Sequence, residues 1–121
     1  MTKQFSAPSL SGQLLYKFRL EIINGKYPPG TQFPAVRVLA YAESVNPNTV
    51  QKVLGLLEED GLLICHGTKG RFVTEDEKII QKIKLLLQTE YLESVRSGAR
   101  DLGITTKQFM QFLQESEESL P

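Results

Sequence analysis

The order of elements along the chain predicts a mostly α fold with one small β-hairpin: three short helices, the hairpin, then a long helix and a short one. Three observations predict it. Apolar residues recur at helical spacing in successive stretches, two short β-prone runs flank a loop that holds two glycines, and Gly and Pro punctuate the intervals between them. The 121 residues, 40% of them hydrophobic, suffice for one compact domain with an appendage but not for a second full domain.

The first helix is expected from Ser11 to Asn24, where Leu14, Leu15, Phe18 and Ile22 recur at helical spacing and Gly25 supplies a stop. Tyr27-Pro28-Pro29-Gly30 cannot continue a helix and reads as a turn. A short second helix follows from Pro34 to Ala42, carrying Val36, Leu39 and Ala40, and Glu43 to Asn46 form the connecting turn. The third helix is the best marked. Asn46 suits the N-cap, Pro47 the first helical position, and Val50, Val53, Leu54 and Leu57 form one apolar stripe that Gly61 ends. Glu58, Glu59 and Asp60 crowd its last turn, where the helix dipole disfavours acids, so that end is expected to be held by packing rather than by local charge.

Leu62–Cys65 and Arg71–Thr74 are the two β-prone runs, joined by His66-Gly67-Thr68-Lys69-Gly70. Three helices and then a hairpin is the element order of a winged helix-turn-helix, which assigns residues 1–74 to that domain. Residues 75–121 form a short two-helix segment. Thr74 with Glu77 reads as a capping box opening a long helix through Ile79, Ile80, Ile83, Leu86, Leu87, Leu92 and Val95, with Gly98 and Gly103 bracketing its end. Thr105 with Gln108 repeats the box before Phe109, Phe112 and Leu113, and the C-terminus is polar and acidic.

In a helix-turn-helix the second helix of the pair enters the major groove with its N-terminal residues at base edges. Turning the third helix's apolar stripe inward places Asn48 and Lys52 on the opposite face, with Thr49 and Gln51 beside them. Asn and Gln pair with adenine, Thr meets a thymine methyl or a phosphate, and Lys reaches guanine or phosphate. A solvated polar face has the same composition, so the helix counts only with its context: the preceding turn, the paired short helix, and a hairpin whose Lys69 and Arg71 can grip the DNA backbone or minor groove. Net charge is zero, but residues 1–73 hold eight Lys and Arg against five Asp and Glu, so the basic charge sits in the front segment.

Catalysis finds no support. There is no His/Asp/Ser or Cys set, no phosphate loop and no metal-ligand spacing, so no catalytic or metal site and no cofactor is expected. Cys65 has no second cysteine to bond, and with His66 alone makes no zinc set. No stretch approaches the roughly eighteen apolar residues of a membrane span. MTKQFSAPSL lacks the apolar centre of a signal peptide, so a soluble, cytoplasmic protein without a membrane partner is expected.

Gly25, Pro29-Gly30, Phe33-Pro34-Ala35-Val36-Arg37-Val38-Leu39-Ala40, Asn46-Pro47-Asn48-Thr49-Val50, Leu57-Glu58-Glu59-Asp60-Gly61-Leu62 and Gly70-Arg71-Phe72-Val73 together resemble the GntR family of transcription regulators, in the right order and with the right gaps over residues 10–74. The Val45–Val50 turn and the short tail look like its YtrA subfamily, whose members dimerise through a small helical C-terminal segment. The resemblance implies DNA contacts from Arg37 on the second helix, from Asn48, Thr49, Gln51 and Lys52 on the third, and from His66, Gly67 and Lys69 in the wing. Two departures bear on this. Many members carry Arg where Pro47 and Gln51 stand here, and many carry Ser and Glu at the places of Ala35 and Val38, which removes a capping box worth about 1 kcal/mol from the second helix.

A helix over residues 75–97 is roughly 35 Å long, more than the last short helix can cover. Its apolar residues Ile80, Ile83, Leu86, Leu87, Leu92 and Val95 therefore need another surface. A second copy supplies one by two-fold symmetry and brings two winged domains to the half-sites of a near-palindromic double-stranded operator; packing back on its own winged domain is the alternative. The tail leaves little room for an enclosed effector pocket. The leading expectation is a repressor-type homodimer on DNA, against a winged-helix module for protein or RNA contacts.

Overall fold

The computed structural model describes residues 9–116, so the N-terminal stretch before Ser9 and the acidic C-terminal end lie outside it. Helix α1 spans Leu10–Ile23, with the Ser9 hydroxyl accepting from the Gly12 N–H at 3.0 Å, and buries Leu14, Phe18 and Ile22 one turn apart. Helix α2, Val36–Glu43, starts two residues later than its periodicity suggests. Ala35 stands at its N-cap with no side chain to cap it. Helix α3, Pro47–Asp60, begins as expected: the Asn46 carbonyl oxygen of the side chain accepts from the Asn48 N–H at 2.7 Å, Pro47 opens the first turn, and Val50, Val53, Leu54 and Leu57 are buried. Gly61 ends it at φ +84°, and a Cβ there would lie 3.1 Å from Ile79 Cδ1, so both backbone angle and close packing call for glycine.

The wing is the antiparallel pair β1, Leu63–Cys65, and β2, Arg71–Val73, with Ile64 opposite Phe72. Its loop closes through a single 3-10 turn, Gly67–Lys69. A feature without local signature joins it: Gln32 bridges to Phe72 on the other edge of β2, and the Phe33 N–H donates to the Arg71 carbonyl at 2.8 Å. This lashes the chain before α2 to the wing. Phe33 brings its ring edge-on to Phe18 at 5.5 Å in the core, which α1, α3 and the hairpin enclose with Val50, Val53, Leu54, Leu57, Leu62 and Val73.

Helix α4 runs Glu77–Asp101 and α5 Thr106–Glu115. The expected Thr74–Glu77 capping box does not form. Thr74 Oγ1 instead accepts from the Asp76 N–H, and Asp76 caps the helix by accepting from the Lys78 N–H at 2.9 Å, because its carboxylate is the acceptor closer to the first free donors. The end of α4, at Asp101, does fall between Gly98 and Gly103 as expected: Gly98 stays helical, since an interior glycine weakens a helix without stopping it, and the chain turns at Gly103, φ +74°. The Thr105–Gln108 box is present in both directions.

The described residues up to Leu86 form one compact unit, and those from Leu87 onward a second. The first turns of α4, which bury Ile80 and Ile83, thus belong to the winged unit. The expected dimer seam separates into two faces. Ile80, Ile83 and Leu87 are buried within the chain, whereas Leu86 and Leu92 are exposed and Val95 is half-buried, because α4 carries two apolar stripes that a single helical period merges. The outer stripe in the second unit runs Leu92, Val95, Ala99 and on to Leu102, at alternating spacings of three and four. Beside it α5 leaves Met110 and Phe112 exposed.

Ser44, in the turn between α2 and α3, adopts the left-handed conformation at φ +55°, the single non-glycine to do so among the described residues. An L side chain pays for that geometry about 1–2 kcal/mol that glycine avoids, partly offset by glycine's greater freedom when unfolded. Ser44→Gly is expected to raise stability by about 0.5–1 kcal/mol, read as a rise of a few degrees in the thermal midpoint; a fall would show that the turn does not strain serine.

Candidate nucleic-acid interface

Burial of one face of α3 decides what the other face offers. Asn48, Gln51 and Lys52 are exposed and Thr49 is half-exposed. The Asn46 side chain caps the helix by accepting from the Asn48 backbone N–H, and the Asn48 amide side chain is exposed. On α2, Leu39 and Ala40 turn inward, and Arg37 stands exposed on the outward face. In the wing, His66, Gly67 and Lys69 are exposed; His66 rests edge-on to Phe72 with ring centres 5.0 Å apart. The wing tip is held from outside the hairpin, since Gln32 Nε2 donates to the Lys69 carbonyl at 2.9 Å. Gln32 lies 37 residues from that partner, so no local pattern announces it.

Ion pairs then sort the cations. Arg19 on α1 makes a two-pronged pair with Asp60 at 2.8 and 2.9 Å. Lys17 pairs with Glu43 at 2.8 Å, which holds its ammonium above the ordinary lysine value, and Lys26 with Glu21 at 3.3 Å. Arg71, expected at the DNA backbone or minor groove, donates through Nε to Glu58. Two of the three acids that crowd the end of α3 are thus met by tertiary partners rather than by local charge, in line with the expectation that this end is held from outside the helix. Glu58 and Asp60 are met by arginines from the wing and from α1, partners invisible to a reading confined to one helix. Among the described residues 9–73, the Lys and Arg side chains without a carboxylate partner are Arg37, Lys52 and Lys69. One comes from α2, one from α3 and one from the wing.

Unpaired cations suit phosphates, and exposed amides suit base edges. No group of three or more His, Cys, Asp or Glu side chains that could hold a metal occurs among the described residues, and no described helix is long and apolar enough to cross a membrane. Cys65 is a free, exposed thiol on β1.

Residues 10–73, from the start of α1 to the end of the wing, match the bacterial regulatory proteins of the gntR family. The chain belongs to that family. It is a transcription regulator with a helix-turn-helix DNA-binding domain, not an enzyme. Among its relatives, the HTH-type transcriptional regulator YhcF of Bacillus subtilis (strain 168) is 28% identical over 102 residues, 84% of this chain and 81% of YhcF. The HTH-type transcriptional repressor YtrA of the same organism is 25% identical over 111 residues, 91% of this chain and 85% of YtrA, and this gntR-family chain is YtrA-like. A solved GntR family transcriptional regulator from Listeria monocytogenes superposes with a TM-score of 0.82 at 25% identity, covering 91% of this chain and 96% of that one. The mostly helical architecture with a two-stranded wing is therefore that of gntR winged-helix regulators.

Proposed function

We propose that the protein is a cytoplasmic repressor that binds a near-palindromic operator as a homodimer. The observation that carries the reading is the sorting of charge within the winged unit: among the described residues 9–73 the cations left without a carboxylate partner lie on α2, α3 and the wing, the three elements that a winged helix brings to DNA. Arg37, Lys52 and Lys69 serve phosphates, with Gly67 and His66 at the wing tip. Asn48 and Gln51 read bases, and Thr49 flanks Asn48 on its other side. Arg71 acts indirectly, by tying the wing to α3 through Glu58. Repression is suggested by the relative YtrA, a transcriptional repressor.

Residues 1–74 do the binding and residues 75–121 the pairing, with the first turns of α4 shared with the winged unit. For the pairing, the stripe Leu92, Val95, Ala99 and Leu102 has the three-and-four spacing of helix seams. It borders a cleft of about 640 Å³ between the end of α4 and α5, lined by Leu92, Val95, Ala99, Ile104 and Phe109. Apolar side chains of a second copy fit such a surface, which water would otherwise cover at a loss of about 25 cal/mol per Å².

The contacts separate by their salt dependence. Lys69→Ala is expected to weaken binding to selected and random duplexes alike and to flatten the log affinity against log salt slope by about one unit. Asn48→Ala or Gln51→Ala is expected to cost roughly 1–3 kcal/mol at particular base pairs and to leave that slope unchanged. Fluorescence anisotropy on a duplex selected by the protein from a random library, and on an unrelated duplex, measures both. Equal losses on the two duplexes from all three variants would remove this assignment of roles, and no preference for any duplex would favour a protein or RNA partner.

A further inference from the structure

Tyr41 is 90% exposed, more than any other large hydrophobic side chain described, and makes no ring contact and no side-chain hydrogen bond within the described residues. A tyrosine left that far in water forgoes the gain of burying its ring, which asks what its outward position serves. It stands four residues after Arg37, one turn along α2 or about 6 Å along the axis, on the same outward face. The inward residues of that helix are Leu39 and Ala40. Its single acid, Glu43, is half-buried and drawn to Lys17 of α1 at 2.8 Å, so the outward face of α2 shows Arg37, Val38, Tyr41 and Ala42 with no carboxylate among them. In a helix-turn-helix the first helix of the pair crosses the DNA backbone, and tyrosine hydroxyls are among the groups that bond phosphate oxygens there.

We infer that Tyr41 is a second backbone contact of α2, its hydroxyl donating to a phosphate oxygen beside the one that Arg37 meets. It is a positioning residue: it carries no base information and fixes the register in which α3 enters the groove. This rests on the DNA-binding reading above. The phenol is neutral, so its hydrogen bond adds affinity without releasing a counterion, and that separates it from Arg37, Lys52 and Lys69.

The test is fluorescence anisotropy with Tyr41→Phe and Tyr41→Ala, on a short duplex selected by the wild-type protein from a random library and on an unrelated duplex, across a salt series. Tyr41→Phe is expected to weaken both complexes by about three- to tenfold and to leave the salt slope at its wild-type value. Circular dichroism should be unchanged, since the side chain is exposed. Wild-type affinity in Tyr41→Phe overturns the inference, whether or not Tyr41→Ala is weaker, because the hydroxyl would then do nothing. A loss confined to the selected duplex also overturns it, by making Tyr41 a base reader. Failure of the wild-type protein to bind either duplex would instead defeat the DNA-binding reading itself, before any variant is compared.

Discussion

Leu92→Asp is expected to convert the proposed dimer into a monomer and to lower operator affinity by about 10²–10⁴-fold, because the second winged unit would then bind as a separate molecule rather than as a tethered one. Leu92 is 64% exposed in the single chain, so an aspartate there meets water in the monomer and apolar surface only in the pair. Helical content and thermal unfolding at low concentration should therefore stay close to wild type. The contrast with Leu87 matters. Leu87 is 8% exposed, so Leu87→Asp buries a charge inside the chain and confounds dissociation with unfolding. Light scattering reads the mass and anisotropy the affinity. A dimer that survives Leu92→Asp would exclude the outer stripe of α4 as the seam.

Phe18→Ala is expected to remove about 3–5 kcal/mol of stability, the range for truncating a fully buried aromatic. Phe18 is wholly inaccessible, lies on the inward stripe of α1 and meets Phe33 edge-on at 5.5 Å. Against a total of about 5–15 kcal/mol for a domain, this leaves the winged unit marginal and lowers its thermal midpoint by more than about 10 °C. The outward variant Tyr41→Ala serves as the comparison, since it empties no core space. A loss under about 1 kcal/mol in chemical denaturation would mean that α1 does not seal the core against α3.

Local features were legible in the sequence wherever a few neighbouring residues decide the outcome. Asn46-Pro47 opens α3, Gly61 closes it, and Thr105 with Gln108 opens α5, each through contacts spanning no more than one turn. Where two acceptors compete, proximity to the free donors decided: Asp76 caps α4 and Thr74 does not. The outward set on α3 followed from the period of its apolar stripe. What sequence proximity cannot reveal are partners distant along the chain, such as Arg19 with Asp60, 41 residues apart, or Gln32 with Lys69. Arg71 looked like a free cation for the same reason, its partner Glu58 lying on another element. On α4 the difficulty was different. Two apolar stripes overlap in one helical period, so burial alone tells Ile80 and Ile83 from Leu92.

The arginines at the end of α3 also bear on how fast and how cleanly the protein takes up DNA. Arg19 anchors that end to α1 and Arg71 anchors it to the wing, while Gln32 fastens the wing tip to the segment leading into α2. The groups proposed to meet the duplex are consequently mounted on a frame assembled during folding. Little conformational entropy remains to be surrendered on docking, so recognition should proceed as the seating of a finished shape rather than as folding upon its target.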